Sequence, residues 1–149
     1  MAVAVLVAAV AVGGLWLRTD RADGRSADAR AAMTAATAAA QVIFSYDYRT
    51  FDSGVAKAEP YLTGDFAKEY AQTTASLKAT AQQEQAVVQA QVSAAGVVES
   101  TGDHVELLLY LNQYRRNTNI AGEKVDQNRV VLTMVKVAGA WKVSAASAI

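Results

Sequence analysis

Val88-Gln89-Ala90-Gln91-Val92-Ser93 is the stretch whose pattern decides the fold. Apolar and polar residues alternate through it, the period of a strand with one face on a core and the other in water. Beyond it, Ser100-Thr101-Gly102-Asp103 has the composition of a turn, and Val105, Leu107, Leu109 and Leu111 alternate through a second strand. A polar loop from Arg116 to Asp126, with Gly122 inside it, leads to a third run, Val130 to Val137. Ala138-Gly139-Ala140 is a tight connection to the last strand, Trp141-Lys142-Val143-Ser144, and Gly96 is placed to bulge the first strand before Val97-Val98. Four strands joined by hairpins, with no helix between them, predict an antiparallel sheet.

Upstream the period is helical. Phe66, Tyr70, Thr73, Leu77 and Ala81 recur on one face, with Thr63 as N-cap and Asp65 in the first turn, where a carboxylate favours the positive end of the helix dipole. Before that, Asp52 is placed to cap a short helix through about Ala58, which Pro60 ends. A first helix runs from Ser26, a plausible N-cap, to about Ser45, with Asp28 in its first turn. Its Ala-rich first half has little to bury. Phe44, Tyr48 and Phe51, at i, i+4 and i+7, with Val42 and Tyr46 beside them, make its C-terminal end amphipathic. The expected architecture is α+β: three helices packed on a curved four-stranded antiparallel sheet over residues 41–149, preceded by an Ala-rich helical stalk over residues 18–40.

Residues 1–17 carry no charged side chain, and Arg18-Thr19-Asp20-Arg21 ends the run abruptly. As a helix they span ~25 Å, slightly short of the ~30 Å hydrocarbon core, with Trp16 where an amphipathic ring favours the interface. A retained transmembrane anchor is the expectation. A signal peptide cut near Ala11-Val12-Gly13 and a buried core helix are the alternatives. Arg18, Arg21, Arg25 and Arg30 follow the run, which by the positive-inside rule places the domain in the cytoplasm. No basic residue precedes the run; a start placed too late in the chain would account for that.

Composition narrows the chemistry. The 149 residues suffice for one domain, and 14 basic against 14 acidic residues give no electrostatic reason to expect nucleic acid. Cysteine is absent, which excludes thiol catalysis and thiolate metal sites, and a single histidine, His104, leaves almost no material for a transition-metal site or a histidine-based triad. No phosphate loop, nucleophile motif, nucleotide fingerprint or cofactor motif is present. Tyr46, Asp47, Tyr48, Asp52, Tyr70, His104 and Tyr110 are the titratable candidates for a pocket. An aspartate base beside a tyrosine donor is known isomerase chemistry, but adjacent helical residues diverge by about 100° and do not converge on one atom. The plainer reading has the aromatics in the core and Asp47, Arg49 or Asp52 capping or bridging a helix end. His104 follows a turn and is expected in solvent, Arg115-Arg116 reads as a solvated rim, and Trp141 as a core plug whose indole N–H finds a carbonyl.

Together these residues resemble the Mce-associated membrane proteins. The resemblance is carried by Phe44-Ser45-Tyr46-Asp47-Tyr48-Arg49-Thr50-Phe51-Asp52, by Leu62-Thr63-Gly64-Asp65-Phe66-Ala67-Lys68-Glu69-Tyr70, by Ala94-Ala95-Gly96-Val97-Val98 and by Val137-Ala138-Gly139-Ala140-Trp141-Lys142-Val143. It implies a single-pass protein of the cytoplasmic membrane with a SnoaL-like, nuclear-transport-factor-like cone on the extracytoplasmic side. It also implies a scaffold role in assembling an Mce lipid or sterol transporter, with Mce subunits as protein partners, lipid as a further ligand, and no catalytic or cofactor-binding residues. Within that family Tyr46, Asp47, Tyr48, Arg49, Thr50, Asp52, Phe66, Tyr70, Gly139 and Trp141 stand as signature and structural positions.

Two other functions remain open. An isomerase or hydratase requires Asp47 or Asp52 to face the cone interior. A lipid-binding module requires a deep apolar cavity between the third helix and the sheet.

Overall fold

The computed structural model describes residues 24–149; the run expected to anchor the chain, residues 1–17, lies outside them. Among the described residues, no helix is long and apolar enough to cross a membrane. Helix α1 occupies residues 24–43, followed by strand β1 (Tyr46–Asp47), a 3-10 turn (Tyr48–Thr50), helix α2 (Phe51–Ala58), a second 3-10 turn (Glu59–Tyr61) and helix α3 (Gly64–Gln83). Strands β2 (Val87–Thr101), β3 (His104–Arg116), β4 (Lys124–Val137) and β5 (Ala140–Ala148) complete the chain. The sheet is an antiparallel meander in the order β1-β2-β3-β4-β5.

The helices-then-strands order and the antiparallel sheet match the sequence reading, but the sheet has five strands rather than four. The reason lies at Ser45. Its hydroxyl donates to the Gln41 carbonyl and accepts the Ala90 N–H at 2.8 Å, so it closes the last turn of α1 and joins that turn to β2. The chain then leaves the helix, and Tyr46 and Asp47 pair with Val88 and Val87. Phe44, Tyr48 and Phe51 are therefore not one helical face; they fall in a turn, a 3-10 turn and α2.

The Ala-rich half of α1 also departs from expectation. Ala32, Ala36, Ala39, Ala40 and Ile43 form an i, i+4, i+7, i+8, i+11 stripe, every member buried in the main core cluster with Val105, Leu107, Leu109, Leu111, Leu132 and Met134. Alanine adds little area by itself, but a stripe of it lets the helix approach the leucine face of the sheet closely. Both ends of α1 are tied down. Lys136 reaches Asp28 at 2.8 Å, and the Gln113 side-chain amide donates to the Phe44 carbonyl at 3.1 Å.

On the sheet, Leu109 faces Val130, Leu107 faces Leu132, Val105 faces Met134, and Met134 faces Val143, so one continuous buried face runs across β3, β4 and β5. The irregularities of β2 fall between Val92 and Ala94 and between Val97 and Glu99, on either side of Gly96 rather than at it. The β4–β5 connection is a two-residue turn in which Ala138 (φ 49°) and Gly139 (φ 82°) are both left-handed, the geometry that suits the twist of a hairpin.

Thr63 occupies the N-cap position of α3 without a side-chain cap bond, and its N–H instead donates to the Val143 carbonyl of β5 at 3.0 Å. Leu62 bridges to Val143, and these contacts hold the start of α3 on the β5 edge. The inward face of α3 is centred on buried Thr74 and Ala81, with Phe66, Tyr70 and Leu77 half-buried; Thr73, expected on that face, is exposed.

Candidate functional site

Along α3 the helix stands off the sheet and leaves an apolar cleft of about 320 Å³. Phe66, Tyr70 and Leu77 form one wall from α3, and Phe51 and Val55 form another from α2. Ile43, Phe44 and Tyr46, where α1 passes into β1, close the back, with Gln113 and Ala146 contributed by the sheet. The Tyr46 ring packs against Phe51 with centroids 5.8 Å apart and planes tilted by 59°.

Most polar groups in these walls are satisfied within the protein. The Thr74 hydroxyl donates to the Tyr70 carbonyl at 2.8 Å, and Gln113 bridges from the Phe44 carbonyl to the Asn128 side chain at 2.7 Å. The hydroxyls of Tyr46 and Tyr70 have no such partner among the described residues. Burial pushes both phenols above their ordinary pKa; for Tyr46 the charge of Arg115 opposes that and Glu84 adds to it, and for Tyr70 Glu59 adds to it. Both therefore stand protonated at neutral pH, as hydrogen-bond donors.

The carboxylates that an isomerase needs lie elsewhere. Asp47 accepts the Arg49 N–H at 2.9 Å as the N-cap of the first 3-10 turn and pairs with the Arg49 guanidinium. Arg49 in turn lies 5.8 Å from the Tyr48 ring centre. Asp52, its side chain 77% exposed, binds Lys78 of α3 at 2.7 Å. It does not cap α2; Thr50 takes the N-cap position, without a side-chain bond, and Asp52 sits in the first turn. The carboxylate that does line the cleft is Glu69, exposed at its mouth. Among the described residues, no group of three potential metal ligands exists.

Other sequence candidates are structural or peripheral. His104 opens β3, 41% exposed and 4.0 Å from Glu106. Arg115 pairs with Asp126 at 3.0 Å and Arg116 with Glu123 at 3.5 Å. Gly139 completes the β4–β5 turn. Trp141 is half-buried under Lys136, whose ammonium lies 5.6 Å from the ring centre, and among the described residues its indole N–H has no carbonyl partner, contrary to expectation. Sequence reasoning placed Phe66, Tyr70 and Leu77 on α3 but missed Ile43, Phe44 and Val55 as partners in one cleft; no spacing within a single element relates them.

No family model matches the chain. The uncharacterized protein Rv1362c of Mycobacterium tuberculosis is 30% identical over 143 residues, which is 94% of this chain and 65% of that protein, and its counterpart in strain CDC 1551 matches equally. The chain thus spans 65% of the length of the curated relatives it matches. Among solved structures, an IcmL-like type IV secretion system protein from Legionella pneumophila superposes with a TM-score of 0.66 at 15% identity, over 78% of this chain and 88% of that one. A periplasmic fragment of TraM gives 0.66 at 12% identity, over 80% of this chain and 95% of the fragment. VirB8 of Agrobacterium tumefaciens gives 0.62 at 11% identity, over 83% and 90%. The fold is the nuclear-transport-factor-like cone of these domains. The resemblance to Mce-associated proteins is corrected, because the solved structures reported above, an IcmL-like type IV secretion system protein among them, are not Mce-associated proteins and nothing among the relatives points to an Mce transporter. Mce subunits as partners, and lipid or sterol transport as the role, fall with it.

Proposed function

We propose that this protein is a non-catalytic accessory domain of a multiprotein assembly in the cell envelope, carried on the extracytoplasmic side of the membrane and acting by docking partner proteins. The observation that carries this reading is the cone shared with periplasmic and type IV secretion system proteins. Support on the chain itself comes from the position of Asp47 and Asp52, the two carboxylates expected to serve an isomerase-type reaction, outside the cleft.

Strand β2 offers the docking edge. Its outer side is covered by β1 only at Val87 and Val88, with Ser45 taking the Ala90 N–H, and among the described residues the remainder has no ladder partner. Glu99 is the one charged residue in its sequence, and Val97 and Val98 are 45% and 60% exposed. Edges that lack lysine and proline invite a further strand. Crosslinking and affinity purification of the full chain from native membranes tests the proposal. Defined envelope proteins are expected to co-purify and to be lost with Val98→Lys. Recovery of the chain alone after crosslinking overturns it.

A further inference from the structure

We propose that the cleft between α3 and the sheet binds one neutral, lipid-like molecule: an apolar body ending in an uncharged oxygen function such as an ester or alcohol.

The size and walls of the cleft define the body. At about 320 Å³ it falls at the lower end of ligand sites, and its walls are aromatic and aliphatic side chains drawn from all three helices. Water gains little there. Ser45 is engaged by Gln41 and Ala90, Thr74 by the Tyr70 carbonyl, and Gln113 by Phe44 and Asn128, so among the described residues the polar side chains of the wall left for an occupant are Tyr46, Glu69, Tyr70 and Thr73. An apolar surface that is poorly hydrated and open at one side is stabilised by an apolar occupant.

The charge pattern defines the polar end. Among the described residues no lysine or arginine lines the cleft, while Glu69 does, so a fatty-acid carboxylate or a phosphate headgroup would enter desolvated, without a described cation to pair with and near a like charge. Tyr46 and Tyr70 both line the cleft with hydroxyls that have no acceptor among the described residues, and a phenol donor of this kind matches a neutral carbonyl or hydroxyl oxygen.

The test uses the full chain in membranes and two photoactivatable probes, a diazirine-bearing monoacylglycerol and a diazirine-bearing fatty acid of the same length, with the labelled peptides mapped by mass spectrometry. The monoacylglycerol is expected to label residues of α2 and α3 in preference to the acid. Thr73→Trp, placed at an exposed position of α3 that lines the cleft, is expected to abolish that labelling by plugging it, without loss of thermal stability. Tyr70→Phe, which keeps the ring and removes one donor, is expected to weaken labelling about fivefold, the equivalent of one hydrogen bond. Labelling that maps elsewhere, that survives both substitutions, or that favours the fatty acid overturns the proposal, as does an absence of labelling by either probe. None of these outcomes depends on the chain having a protein partner, so the docking proposal and this one fail separately.

Discussion

At the scale of single residues, Asp47 carries the clearest electrostatic signature. Hydrogen bonds from the Arg49 guanidinium, which outweigh the opposing effect of burial, lower its pKa from the ordinary 3.8 to about 2, with the Arg49 N–H and the charges of Arg49 and Arg116 adding to the shift. A carboxylate with a depressed folded-state pKa contributes stability that is present above its unfolded value and lost as pH falls through the folded one. Arg49 is 64% exposed, so solvent screens the pair and the contribution is small. Asp47→Asn is expected to cost about 1 kcal/mol or less near neutral pH, with the gap from the wild type closing between pH 4 and 2. Urea unfolding midpoints across that window check it; a gap that stays constant at low pH would mean that the charge contributes nothing. Sequence reasoning could name Asp47 among cap or bridge candidates from its type alone. Which turn it caps depends on the chain leaving α1 at Ser45, a bond to β2 that no local pattern announces.

At the scale of elements, α1 is where sequence reasoning was least able to separate signal from background. Alanine is frequent on every side of this helix, so its buried stripe is invisible to a periodicity read from large apolar residues. The structure separates Ala40, fully buried, from Ala38, exposed two positions earlier. Ala40→Leu is expected to destabilise by about 1–3 kcal/mol through overpacking against the sheet, whereas Ala38→Leu stays within about 0.5 kcal/mol. Thermal unfolding of the two variants distinguishes them, and equal effects would contradict the close approach of α1. The strands were legible for the opposite reason. Val105, Leu107, Leu109 and Leu111 alternate with period 2, and their large side chains make the buried face unmistakable. The Ala138-Gly139 turn was legible too, since Gly at the second position supplies a positive φ without strain.

At the scale of the whole molecule, α1 covers the sheet rather than standing apart from it. A chain beginning at Gly24 is expected to unfold cooperatively, while one beginning at Tyr46 is expected to lose its cooperative transition. Stripping the helix bares a face of leucines, each worth about 1.5–3 kcal/mol when fully buried, and several of them together match the 5–15 kcal/mol that holds a domain folded. Calorimetry of both chains decides the matter; cooperative unfolding of the shorter one would return α1 to the role of a stalk. The same packing leaves α3 standing off the sheet over the cleft and leaves the edge of β2 open, so both proposed binding surfaces follow from how the helices distribute themselves over one sheet.

The sequence by itself determined the α+β class, the placement of the four long strands after the helices, the hairpin connections and the absence of thiol chemistry. These depend on local periodicity, turn residues and composition, which act over a few positions. Tertiary structure alone decided the fifth strand, the alanine stripe as core, the separation of Asp47 and Asp52 from the cleft, and the cleft itself. Each of these arises where residues far apart in sequence meet, as Ser45 with Ala90, Ala40 with the β3 leucines, Asp52 with Lys78 and Phe44 with Leu77 across one cavity. Non-local packing, which no stretch of a single chain encodes on its own, sets them.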